Sequence, residues 1–229
     1  MLSDPQIERY SRQIILPQVG GKGQEKLLRA RALVNGNGPL QTTALLYLAA
    51  AGVGAIGVIT NGSSPVLSAF APGQPETVSA ALTRLNPDCA VVTYNALAAA
   101  DAKQVVNEYD LVLSPPDPLH EACYAVRRPF LCARIATAGA WLFPCLGYEP
   151  ELPCLRCLPS HLLAEEADAS PLAALFLGTV QATETIKLLL GLDRSSQGKF
   201  LSCQFSAWNF SAQLVAKNPS CSCCAVRTA

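Results

Sequence analysis

Short apolar runs and longer mixed segments take turns through the first half of this chain. Arg31–Asn35 is brief and apolar at its centre. It runs through Gly36-Asn-Gly-Pro-Leu-Gln41 into the apolar stretch Thr42–Ala51, which predicts a strand, a glycine-rich turn and a helix. A second strand is predicted at Ala55–Thr60, and a loop of Gly, Ser and Pro then leads to a helix around Glu76–Leu85. Further strands at Ala90–Tyr94, Leu111–Ser114 and Phe130–Ala133 are separated by helical stretches around Ala100–Asn107 and Leu119–Val126. Strand and helix in alternation predict an α/β class with a mainly parallel sheet covered by helices on both faces.

The flanks read differently. Asp4–Ile15 predicts a helix with Asp4 as N-cap and Pro5 at the first helical position, ending near Pro17, and Gly20–Lys26 reads as a polar stretch. Beyond Thr137, the segments Ala138–Leu146, Lys199–Phe205 and Trp208–Val215 predict longer antiparallel strands, interrupted by an apolar helix from Leu172 to Leu190 that stops at Gly191. The expected organisation is one domain over 1–229: an N-terminal helical segment at 1–28, a Rossmann-like core at 29–136, and an antiparallel, zinc-binding part at 137–229.

Composition narrows the classes. With 50% hydrophobic and 15% charged residues, the chain can bury a core without disulfides. A formal net charge of zero supplies no electrostatic case for nucleic acid or a membrane surface. The opening MLSDPQIERYSRQ carries charges where a secretory signal needs an apolar run, and no segment is expected to approach the apolar length of a membrane span. A cytoplasmic protein is the expectation.

Ten cysteines change the picture, because four fall in two knuckles: Cys154-Leu-Arg-Cys157 and Cys221-Ser-Cys-Cys224. Each pair brings two thiolates to one ion, and the two pairs complete a tetrahedral zinc site tying the tail to the body. A disulfide or chance spacing is the competing reading, and Cys223 is an alternative to either tail ligand. The other cysteines, Cys89, Cys123, Cys132, Cys145 and Cys203, are expected to be small buried apolar residues in a reducing compartment. His120 and His161 show no catalytic spacing and are expected at the surface.

Taken in order, Arg9-Tyr-Ser-Arg-Gln-Ile-Ile-Leu16, Gly23-Gln-Glu-Lys-Leu27, Leu46-Tyr-Leu-Ala-Ala-Ala-Gly-Val-Gly54, Leu85-Asn-Pro87, Gln181-Ala-Thr-Glu-Thr-Ile-Lys187 and the knuckles resemble the ThiF/MoeB/HesA family of E1-like activating enzymes over nearly the whole chain. The resemblance implies a homodimer with structural zinc. It also implies use of ATP and magnesium to adenylate the C-terminal glycine of a ubiquitin-like sulfur carrier.

The residues that such chemistry needs are incompletely kept. Gly36 and Gly38 remain in the turn that would receive phosphates, but Gln41 stands at the third glycine and Pro39 removes a backbone donor. Where the family ends its second strand with an aspartate for the ribose, this chain has Thr60-Asn-Gly62. Ser63–Pro72 contains no Arg or Lys, and Glu76 stands where the family motif has a lysine, so that attraction for phosphate becomes repulsion. Asp117 matches the family's magnesium-ligating aspartate, with helix capping as its alternative role. Arg12 matches an arginine that reaches the neighbouring subunit's nucleotide, with interface packing as its alternative. The stretch Leu158–Leu201 holds no cysteine for a thioester or persulfide.

The expected function is a catalytically degenerate E1-like dimer that binds a ubiquitin-like sulfur carrier or another protein. The alternative is a working adenylyltransferase that recruits Arg84 and Lys103 for phosphate charge and Asp117 for magnesium. A nicotinamide-dependent oxidoreductase uses the same opening, but the absent acidic residue and third glycine count against it.

Overall fold

The alternation read from the sequence is realised in a computed structural model, which describes residues 1–60, 77–136, 139–163, 171–205 and 207–225. Its strands are β1 (Arg31–Asn35), β2 (Ala55–Ile59), β3 (Ala90–Tyr94), β4 (Leu111–Ser114), β5 (Phe130–Ala136), β6 (Gly139–Cys145), β7 (Lys199–Gln204) and β8 (Asn209–Leu214). Among the described residues these form one eight-stranded sheet in the order β3-β2-β1-β4-β5-β6-β7-β8. The first five strands of that order are parallel, and β5 through β8 pair antiparallel. The predicted antiparallel part is therefore an extension of the Rossmann-like sheet rather than a separate layer.

The helices are α1 (Asp4–Ile14), α2 (Gly20–Arg29), α3 (Pro39–Ala51), α4 (Val78–Leu85), α5 (Ala102–Asn107), α6 (Leu119–Ala125) and α7 (Pro171–Leu190). Period-two alternation sends side chains from each strand to both layers. Ala32 and Val34 of β1, with Leu111 and Leu113 of β4, pack under α2, α3, α4 and α7. Leu33 and Val112, from the same strands, pack under α5 and α6 with Phe130, Cys132 and Phe143. Burial on both faces explains why these strands read as continuous apolar runs.

Two expectations are corrected and one stretch gains an element. The polar stretch Gly20–Lys26 forms most of α2, whose Gln24 and Leu27 are fully buried. Its glycines weaken helix propensity, yet Gln24 Nε2 donates to the Ala51 carbonyl at 3.0 Å and fixes the helix against the end of α3. The N-cap of α1 is Ser3, not Asp4: Asp4 and Pro5 occupy the first two helical positions, and the Ser3 N–H donates to Gln6 Oε1 at 3.1 Å. Finally, α7 with 20 residues is long and apolar enough on average to cross a membrane. In this fold half of that helix is buried inside the protein.

Helices α3 and α7 cross in close contact. A Cβ on Gly178 would lie 2.4 Å from the Leu40 carbonyl oxygen and 2.7 Å from Thr43 Cβ, so only glycine permits this approach.

Candidate functional site

The strand order reverses between β1 and β4, whose neighbours lie in opposite directions along the sheet. A parallel α/β sheet leaves a crevice at such a point, beyond the carboxyl ends of its strands. Here that crevice is a cleft of about 760 Å³. Asn35, Gly36 and Asn37 leave β1 into it, Ile59 and Thr60 close β2, Asn95 to Leu97 follow β3, and Asp117 to Leu119 follow β4. Asn35 Nδ2 donates to Ser114 Oγ at 3.0 Å and pins β1 to β4 at the mouth.

Gly36 adopts φ 106°, a left-handed value that turns the chain sharply out of β1. Gly38 is the N-cap of α3, and Pro39 is its first residue. The Gln41 side chain folds back over this turn: its Cγ lies 3.4 Å from where a Cβ on Gly36 would stand, and its Oε1 3.2 Å from the equivalent point on Gly38. Gln41 therefore packs against the turn, while Gly36 and Asn37 line the cleft.

Asp117 lines the cleft and, one residue before the N-cap Pro118, accepts from the Leu119 N–H on its Oδ1 at 2.7 Å, which ties it to the start of α6. Lys103, on the first turn of α5, lines the same cleft. Arg84 sits in the last turn of α4 and is not among the lining residues, nor is Arg12, which is exposed near the end of α1. Glu76 lies outside the described residues. Glu121, which the sequence did not single out, adds a second carboxylate to the lining. It accepts from Arg156 Nη2 at 2.8 Å, and this hydrogen bond holds its carboxyl below the usual carboxylate range. Among the described lining residues one ammonium thus faces two carboxylates.

The four predicted metal ligands converge. The Sγ atoms of Cys154, Cys157, Cys221 and Cys224 all lie within 4.8 Å of one another. Cys154 and Cys221 are 3.6 Å apart, and Cys157 and Cys224 3.4 Å. Zinc–sulfur bonds of about 2.3 Å in a tetrahedron require sulfurs about 3.8 Å apart, so the set fits zinc. No disulfide is formed among these cysteines. Cys223, the alternative ligand, is half-buried and outside the cluster. The Asn218 N–H points at Cys157 Sγ at 3.5 Å, the outer contact that steadies a metal-bound thiolate. Against the desolvation that raises it, the N–H groups of Cys224 and Cys223 hold the Cys221 thiol down to about 7.

The five remaining cysteines are buried, as expected. Burial pushes the Cys89 thiol up to about 11 and those of Cys132 and Cys145 well above their ordinary value, which makes them poor nucleophiles. His120 corrects the sequence expectation: it is buried, 5% exposed, with Nδ1 3.0 Å from the Asp117 carbonyl oxygen and its ring edge-on to Phe130. Burial lowers its pKa. The His161 side chain lies outside the described residues.

The chain that builds this cleft and knuckle matches a known family in sequence: the model of the ThiF family covers residues 10–63 and 73–223. The chain belongs to the ThiF family. ThiF relatives include the molybdopterin-synthase adenylyltransferase of Escherichia coli, 35% identical over 247 residues that cover 97% of this chain and 98% of that one. The sulfur carrier protein adenylyltransferase of Thermus thermophilus is 32% identical, covering 96% of this chain and 91% of the relative. Among solved structures, E. coli MccB with selenomethionine MccA superposes with a TM-score of 0.79 at 18% identity, over 97% of this chain and 75% of that chain. The PaaA structure reaches a TM-score of 0.78 at 15% identity, over 93% and 84%. Both are likenesses of the E1-like ThiF fold.

Proposed function

We propose that this protein is a ThiF-family binding scaffold, a homodimer in the cytoplasm that docks a ubiquitin-like sulfur carrier or another protein and has little adenylation activity of its own. The observation that carries this is the charge of the cleft. Lys103 shares the cleft with Asp117 and Glu121, Gln41 replaces a glycine and packs against the turn, and the segment from Asn61 to Glu76 supplies no Arg, Lys or His. A triphosphate needs several fixed cations or N–H donors, and water competes successfully for a phosphate that lacks them.

A second reading is an active adenylyltransferase. It is favoured by the names of the relatives, adenylyltransferases similar over almost their whole length, and by the presence of Asp117 and Lys103 in one open cleft.

Calorimetric titration of the zinc-loaded protein with Mg-ATP separates the two. The scaffold reading expects no saturable binding up to millimolar ATP and no pyrophosphate exchange with added carrier. Saturable micromolar binding with carrier-dependent exchange would establish the second reading. Light scattering tests the dimer: a mass near that of a single chain would remove that part.

A further inference from the structure

The two sites described above share a wall, and that wall is α6, only seven residues long. Leu119, Glu121, Ala122 and Ala125 form its cleft-facing side. His120, Cys123 and Tyr124 form the other side, which faces Cys145, Cys154 and Leu155. Tyr124 packs directly against the cysteine cluster. With about 3.6 residues per turn, these two sets fall on opposite faces of one helix.

A polar strut crosses from the knuckle to the cleft side. Arg156 lies between the ligands Cys154 and Cys157, in a tight turn closed by the Cys157 N–H on the Cys154 carbonyl at 3.0 Å. Its Nη2 donates to Glu121 Oε1 at 2.8 Å. Glu121 is the residue that adds the second carboxylate to the cleft lining. The loop that would hold zinc is thus joined to the cleft wall by packing through Tyr124 and by an ion pair through Arg156. At its start, the same helix is anchored by Asp117, which also lines the cleft.

We propose that Arg156 is a positioning residue that transmits the order of the four-cysteine knuckle to the cleft wall, so that metal binding at the knuckle and the conformation of α6 are thermodynamically linked. A metal that orders the Cys154–Cys157 turn fixes the origin of the Arg156 side chain and the surface beneath Tyr124. Both constrain α6, and by reciprocity a ligand that orders the cleft wall raises metal affinity. The coupling does not depend on whether the cleft accepts a nucleotide.

The ion pair is half-exposed on both sides, so its own effect is small. The decisive measurement is hydrogen exchange by mass spectrometry on zinc-loaded protein, with zinc content assayed in each variant. R156Q is expected to keep its zinc while the amides of 119–126 exchange roughly two- to fivefold faster, the range an exposed ion pair allows, with β1 and β2 unchanged. E121Q is expected to match it, and the double variant to add nothing further. R156K is expected to restore most of the protection, because only one nitrogen of Arg156 makes the contact. Removing the metal with EDTA is expected to accelerate α6 beyond the R156Q level.

Unchanged exchange of α6 in R156Q would overturn the proposal, as would α6 protection that survives metal removal. Loss of zinc from R156Q would also count against it, since Arg156 would then serve only the folding of the knuckle. If EDTA unfolds the whole chain, the zinc-retaining R156Q, E121Q and double variants still decide.

Discussion

Asn86 Nδ2 donates to Tyr10 Oη at 2.9 Å, joining two fully buried residues from the Leu85-Asn-Pro87 and Arg9-Tyr-Ser-Arg12 motifs. The same amide donates to the Ala49 carbonyl at 2.6 Å, and Tyr10 Oη donates onward to Asp88 Oδ2 at 3.0 Å. Two motifs that resemble family signatures thus do a structural job: they lock α1 onto the ends of α3 and α4. Asn86→Ala is expected to destabilise the fold by about 1–3 kcal/mol, because it removes two buried hydrogen bonds, one to the Ala49 carbonyl, which keeps the Gly52 N–H, and one to Tyr10 Oη. Urea denaturation measures this, and a loss under about 0.5 kcal/mol would mean the network is dispensable.

The same tyrosine predicts an alkaline limit. Burial, first among the causes, pushes the Tyr10 hydroxyl up to about 12 from an ordinary value of 10. Because the folded state holds this proton more tightly than the unfolded chain, its contribution is whole below pH 10 and is lost as pH rises toward 12. Tyr109 is raised by burial in the same direction. Urea midpoints between pH 8 and pH 11.5 are expected to fall over the upper part of that range, and to fall less steeply in Tyr10→Phe. A flat wild-type profile would refute the assignment.

Metal retention should discriminate among the tail cysteines. Cys221→Ser and Cys224→Ser are expected to lose zinc and stability together, since a structural site contributes its binding energy to folding. Cys223→Ser is expected to retain one zinc per chain, because Cys223 stands outside the cluster of four. Elemental analysis of freshly purified, unchelated protein checks both, and zinc loss from Cys223→Ser would reassign the ligands.

At the α3–α7 crossing, Gly178→Ala is expected to cost about 1–3 kcal/mol, since the new methyl group meets a backbone carbonyl that cannot swing aside. A shift in the urea midpoint at constant slope is the expected signature.

Reverting one residue should not restore chemistry. Glu76→Lys alone is expected to leave pyrophosphate exchange at background, because Gln41 still stands at the third glycine of the turn and Thr60 still stands in place of an acidic residue. Exchange gained from that single change would overturn the scaffold reading.

The sequence by itself determined what depends on local pattern. Apolar runs such as Leu111–Ser114 show as strands because both of their faces are buried, and the pairs Cys154/Cys157 and Cys221/Cys224 stand out because their spacing is that of a zinc knuckle, and their sulfurs do converge. Only the tertiary structure decided what depends on residues distant in the chain. Gly20–Arg29 is a helix because Gln24 reaches Ala51, a contact that its glycines do not announce. His120 is buried although no apolar pattern marks it, because its side of α6 packs on Phe130, Cys145 and the knuckle residues Cys154 and Leu155. Glu121 and Arg156, 35 residues apart, meet because the turn between Cys154 and Cys157 folds back on the end of a parallel sheet. Local propensity acts within a turn or two of chain, whereas a buried hydrogen bond or a shared wall exists only once the sheet has set the distance between its ends.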